Sequence, residues 1–61
     1  MVRVNTEKYE ATWAKKPRGY GYWMIQVGKR QECFTGNYGE AIKNAKAAAR
    51  ILGEYEVVVL P

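Results

Sequence analysis

The sequence has 61 residues, of which 48% are hydrophobic and 13% aromatic, and its formal net charge is +4 at pH 7. A chain of this length predicts one domain, residues 1–61, with a small core, because it can bury only about 60% of the surface that its unfolded form exposes. It contains no His, Asp or Ser, so neither a Ser-His-Asp triad nor a Cys-His pair can be assembled, and no enzymatic activity is expected.

The first predicted element is a strand at residues 9–13. Tyr9, Ala11 and Trp13 alternate with polar residues, which is the period-two pattern of a half-buried strand. This pattern predicts that the Trp13 ring points into the core. The segment KKPRGYG, residues 15–21, follows it, and its proline and glycines predict a hairpin turn.

The second predicted strand is YGYWMIQV, residues 20–27. Its inward face would consist of Trp23, Ile25 and Val27, because side chains alternate between the two faces of a strand. The outward face would then present four side chains: Tyr20, Tyr22, Met24 and Gln26.

A second turn and a short third strand are expected next. Gly28, Lys29 and Arg30 read as a tight turn in which the glycine supplies a positive φ. Residues 31–35 then form a strand with Phe34 inward.

The strongest single signal predicts a helix. Asn37 followed by Glu40 has the form of a capping box, and Gly53 is placed to end the helix. Between them, apolar residues recur at helical spacing. The expected buried stripe consists of Ile42, Ala45, Ala49 and Leu52, widened by Ala41 and Ala48.

A final strand is predicted at residues 55–60, which are rich in β-branched side chains. It would either pair with the sheet or run back as an extended tail. The expected fold class is therefore α+β: a three-stranded antiparallel sheet packed on one helix, with a short C-terminal strand, in the order βββαβ. One face of this sheet would stay open.

The positive charge is concentrated in the first half of the chain. Residues 1–31 hold seven cations and two glutamates, a net +5, whereas residues 32–61 hold three cations and four glutamates, a net −1. Five of the cations lie in the two predicted turns: Lys15, Lys16, Arg18, Lys29 and Arg30. The two turns would lie about 20 Å apart, at opposite ends of the second strand.

Several short motifs occur in a recognisable order along residues 9–61. They are Tyr9, the basic turn 15–19, Gly21-Tyr22-Trp23, Gly28-Lys29-Arg30, Phe34-Thr35 before Gly39-Glu40-Ala41, the alanine-rich 47–53, and Gly53-Glu54-Tyr55 with Pro61. In this order they resemble the AP2-type DNA-binding domain of plant transcription factors and of some phage and bacterial homing-endonuclease proteins. They are also similar to the arm-binding N-terminal domains of tyrosine integrases.

The resemblance implies DNA contact through the outward sheet face, where the AP2 family places arginines and a tryptophan. At the matching positions this sequence has Met24, Gln26, Gly28 and then Arg30 or Gln31. It therefore implies that base-specific readout is weak.

The open face and the basic turns together predict a nucleic-acid-binding module. The candidate contact residues are Lys15, Lys16, Arg18, Tyr20, Tyr22, Met24, Gln26, Lys29 and Arg30. Cations would neutralise phosphates, and exposed tyrosines would stack on bases. Double-stranded DNA is the first candidate ligand, and RNA or a protein stays open.

The alternative is a small inhibitor of the phage type that binds a host or defence protein complex through the same face. The chain would be a monomer, or a homodimer paired through its C-terminal strand. No apolar run approaches the roughly 20 residues of a membrane helix, and the first ten residues lack the apolar centre of a signal peptide. Cys33 is the only cysteine, so a cytoplasmic protein without disulfide, metal or cofactor is expected.

Overall fold

The computed structural model describes residues 1–61 and contains four strands and two helices. They follow the order β1 (Arg3–Asn5), α1 (Glu7–Trp13), β2 (Tyr20–Val27), β3 (Arg30–Asn37), α2 (Tyr38–Leu52) and β4 (Glu56–Val59). The strands form one sheet in the spatial order β1-β4-β2-β3. The predicted α+β class and the βββαβ order of the strands and the long helix are confirmed, with α1 inserted between the first two strands.

The predicted strand at residues 9–13 is wrong, because these residues lie in α1. The helix begins where the Asn5 side chain accepts a hydrogen bond from the Glu7 N–H at 2.9 Å and the Thr6 hydroxyl donates to the Glu10 carboxylate. Residues 9 and 13 are four apart, a spacing that puts two side chains on one face in a strand and in a helix alike. The hairpin predicted at residues 15–21 is therefore replaced by a connection from α1 to β2.

The core lies between one face of the sheet and α2. Nine hydrophobic side chains form it: Val2, Trp23, Ile25, Val27, Ala41, Ala45, Ala49, Val57 and Val59. The inward face predicted for β2 is thus confirmed, and Phe34 packs against this core as expected. Three alanines let the axis of α2 approach the sheet closely. The predicted stripe is wrong at its last position, because Leu52 is exposed.

Strands β2 and β3 form a hairpin with a two-residue turn. Val27 is paired with Arg30, which leaves Gly28 and Lys29 in the turn. Gly28 has a φ of +62°, and a Cβ there would lie 2.5 Å from the Glu54 carboxylate. The turn is confirmed, and β3 is longer than the predicted strand at residues 31–35.

The ends of α2 agree with the Asn37 and Gly53 signals, but the Glu40 half of the predicted capping box is not formed, because Glu40 makes no hydrogen bond to the Asn37 N–H. The Asn37 side chain accepts a hydrogen bond from the Gly39 N–H at 2.8 Å, which satisfies one of the free N–H groups in the first turn. Gly53 follows the helix with a φ of +75°, and its N–H donates to the C=O groups of Ala49 and Arg50. Both caps are set by residues adjacent in sequence.

Strand β4 occupies the interior of the sheet, parallel to β1 and antiparallel to β2. The sequence leaves open whether the C-terminal strand pairs with the sheet or runs back as a tail, and the structure shows that it pairs. The dimer proposed through this strand needs correction, because both of its edges are already paired and the outer strands are β1 and β3. Neither helix combines the length and the apolar character needed to cross a membrane.

Candidate nucleic-acid interface

Both helices pack on the same face of the sheet. Helix α2 covers the buried side chains of β2 and β4, and Tyr9 of α1 packs on Trp23 with ring centroids 5.9 Å apart. Since Trp23 belongs to the buried side of β2, α1 lies on that side as well. The opposite side of the sheet, called the open face below, carries no helix.

The central strand presents to the open face the side chains that its alternation predicts. Tyr20 is 84% exposed and Tyr22 is 65% exposed, while Met24 and Gln26 are half-buried. The Gln26 amide donates to the Gly28 C=O at 3.1 Å, so it is already engaged within the protein. The predicted outward placement of these four side chains is confirmed.

A sulfur pair adjoins Tyr22 on the open face. Cys33 is paired with Met24 across the hairpin, and its thiol donates to the Met24 sulfur at 3.4 Å. The Cys33 side chain raises the pKa of Tyr22, first through hydrogen bonding and then through charge. A tyrosine hydroxyl, whose ordinary pKa is 10.0, is neutral at physiological pH and would not repel a phosphate.

A groove of about 570 Å³ lies at the beginning of β2. Its lining combines aromatic, apolar and cationic side chains with one glycine: Tyr9, Trp13, Lys15, Arg18, Tyr20, Gly21, Tyr22, Trp23, Met24, Leu60 and Pro61. The cations come from the basic loop, residues 14–19, which joins α1 to β2 and is anchored by the buried Pro17. No Asp or Glu side chain lines this groove.

Trp13 contributes to the groove and not to the core. Its side chain is 53% exposed, so the predicted inward orientation is wrong. The cause is the helix: Trp13 is the last residue of α1, and its ring lies 6.3 Å from Tyr9 on the same helical face. The signal that could have shown this is Asn5-Thr6-Glu7, because Asn or Thr followed by an acid is typical of a helix start.

The groove also contains a free edge of β2. Strand β4 pairs only with Ile25–Val27 of β2, and the Leu60 N–H then donates to the Met24 C=O at 2.9 Å. The N–H and C=O of Tyr20 and Tyr22 point the same way as those of Met24, because backbone groups alternate sides along a strand. No strand pairs with them there, and this edge could not be foreseen from the sequence.

The two groups of cations differ in their surroundings. Arg30 faces the helix-covered side, because it is paired with Val27, and its guanidinium lies 3.8 Å from the Glu32 carboxylate. The carboxylate of Glu54 packs near the turn that holds Lys29. Of the two residues expected on the open face, Arg30 or Gln31, it is Gln31 that lies there, because it is paired with Gln26. Lys15 and Arg18 line the groove.

Comparison with known proteins gives no further guide. No family model, curated protein or solved structure matches the chain.

His, Cys, Asp and Glu side chains do not gather in groups of three or more that could hold a metal ion. The function is therefore inferred from the open face, the groove and the basic loop.

Proposed function

We propose that this protein is a non-enzymatic nucleic-acid-binding module that contacts its ligand with the open face and the basic loop. One observation supports the proposal above the others. In the groove, the exposed rings of Trp13, Tyr20 and Tyr22 stand beside Lys15 and Arg18, and no Asp or Glu side chain lines it.

This combination suits the two parts of a nucleotide. An exposed aromatic ring stacks on any base and contributes about 1–3 kcal/mol per base. Cations neutralise phosphates and release bound counterions, which supplies most of the sequence-independent affinity. Lys15, Lys16 and Arg18 lie in one loop of six residues, so they can meet consecutive phosphates of one strand.

The open face offers few groups for reading base identity. The Gln26 amide is bonded to Gly28, Arg30 faces the helix side, and Arg3 pairs with Glu56 at 3.2 Å. Base-edge contacts carry specificity, whereas phosphate contacts only position the ligand. We therefore propose weak sequence preference, as the AP2-type resemblance also implies.

Fluorescence anisotropy with a labelled mixed-sequence oligonucleotide at 50 to 300 mM salt tests the proposal. Three phosphate contacts predict that log K falls against log salt with a slope of about −2 to −3. A salt-independent affinity, or no measurable binding at low salt, would contradict the proposal.

A matched pair of variants locates the site. Lys15→Gln/Lys16→Gln/Arg18→Gln and Lys43→Gln/Lys46→Gln/Arg50→Gln each remove three positive charges, from +4 to +1. The second set lies on α2, away from the groove. Only the basic-loop variant should lose binding by 10-fold or more. Equal losses would show that net charge alone is responsible.

The second candidate is the small inhibitor that binds a protein complex, for which the sheet offers an edge in addition to the open face expected from the sequence. It is favoured by the outer edge of β3, where the backbone groups of Gln31, Cys33 and Thr35 face away from β2. Such an edge can pair with a strand of another protein. That contact does not use the basic loop. In a pull-down, the Lys15→Gln/Lys16→Gln/Arg18→Gln variant would therefore still retain a partner that resists nuclease. This result would favour the inhibitor.

A further inference from the structure

We infer that the groove selects single-stranded nucleic acid and seats one unpaired base against the free backbone edge at Tyr22. This inference rests on the proposed function and names the class of ligand. Its starting point is the juxtaposition of three features in one groove: exposed aromatic rings, cations of the basic loop, and unpaired N–H and C=O groups.

The aromatic rings favour unpaired bases. In a duplex the faces of the bases are stacked on each other, and a protein reaches only their edges. The faces become available in single strands, where bases can be splayed out and stacked on aromatic side chains. The exposed rings of Trp13, Tyr20 and Tyr22 would therefore gain far more from a single strand than from a duplex.

The size of the groove agrees with this ligand. Its volume of about 570 Å³ lies within the roughly 300–1,000 Å³ of pockets that hold one small molecule. It is lined from both sides of the sheet, because Tyr9 belongs to the helix side and Met24 to the open face. A groove that wraps around a strand edge admits a flat, extruded base.

The backbone of Tyr22 supplies a donor and an acceptor on one side. Its N–H and C=O point in the same direction, toward the groove, and neither has a partner. The Watson–Crick edge of a base also places a donor next to an acceptor, and this edge is engaged in a duplex but free in a single strand. Two hydrogen bonds to the Watson–Crick edge can thus form only with an unpaired base.

Competition between a labelled single strand and the blunt duplex of the same sequence tests the inference at 100 mM salt. We expect the single strand to bind at least about 10-fold more tightly. Tyr22→Ala should weaken its binding about 5- to 150-fold, the equivalent of one stacked base. Tyr55→Ala, which removes another exposed tyrosine that lies outside the groove, should change it less than 2-fold.

The amide of Tyr22 provides a second readout that does not depend on a variant. In the free protein this N–H has no partner, so it should exchange rapidly with solvent. Adding the single strand should slow its exchange by 10-fold or more, and adding the duplex should not. Unchanged exchange at saturating single strand would overturn the seating of a base at Tyr22.

The outcomes separate the inference from the proposed function. Equal or tighter binding of the duplex, with the salt slope and the basic-loop dependence intact, overturns the inference and leaves the proposed function standing. Binding of neither oligonucleotide overturns both. Displacement of the single strand by polyglutamate of equal charge would show that negative charge alone is enough for binding to the groove. This result too overturns the inference.

Discussion

The two faces of the sheet perform different tasks, although the same strands build both. Along β2, Trp23, Ile25 and Val27 are buried under the helices, while Tyr20 and Tyr22, which precede them, are largely exposed. In so small a chain the stability has to come from the covered face, because that is where the apolar surface leaves water. The residues of the open face can therefore change with little effect on folding.

The two tryptophans, which both belong to the helix side of the sheet, differ in burial within one residue type. Trp23 is 6% exposed, its indole N–H donates to the Gly36 C=O at 3.0 Å, and its ring lies 5.0 Å from that of Tyr38. Trp13 is 53% exposed, and its indole N–H has no hydrogen-bond partner in the protein. One ring stabilises the fold, and the other is available to a ligand.

The largest expected effect is the loss of the buried ring. Trp23→Ala should lower the free energy of unfolding by about 3–5 kcal/mol, which approaches the whole stability of a chain this small. Trp13→Ala should lower it by less than about 1 kcal/mol, because the ring is half in solvent. Urea unfolding followed by circular dichroism compares the two, with Trp23→Phe as the milder variant if Trp23→Ala does not fold. Similar losses of unfolding free energy at both positions would contradict the assigned difference in burial between the two tryptophans.

A smaller effect is expected at alkaline pH, again from the covered face. Burial, and then the charges of Glu10 and Tyr9, raise the pKa of Tyr38 above its ordinary 10.0. The folded protein therefore holds this proton more tightly than the unfolded chain. The associated stability is fully present below about pH 10 and is lost as pH rises through the folded-state pKa.

Replacing Tyr38 tests this sign. The urea midpoint of the wild-type protein should fall between pH 9 and pH 11.5, and Tyr38→Phe should fall less over the same range. Other tyrosines and lysines titrate there too, so the difference between the two proteins is the quantity to compare. Identical declines would mean that Tyr38 does not contribute.

The parts of the fold that the sequence predicts correctly are those governed by neighbouring residues. The alternation of β2, the Asn37 cap and the Gly53 end each depend on a few adjacent positions. The error at residues 9–13 has a local cause as well, because a four-residue spacing fits both helix and strand. Strand β1 was missed because its three residues pair with a strand more than 50 positions away.

The site was only partly predictable for the same reason. The outward tyrosines follow from the alternation of β2, and the basic loop is visible in the composition. The orientation of Arg30 depends on a turn of two residues, which fixes the register with Val27. The free edge at Tyr22 depends on where β4 stops beside β2, and this is a property of the tertiary structure.

A titration of the ¹⁵N-labelled protein with a single-stranded oligonucleotide tests the central claim most directly, because the Trp13 indole N–H and the amides of the basic loop report on the groove. The account predicts that the Trp13 indole signal and the amides of residues 14–22 shift, while the exposed amides of α2, which lie outside the groove, stay in place. Shifts centred on Lys43, Lys46 and Arg50, with the Trp13 signal unmoved, would contradict it.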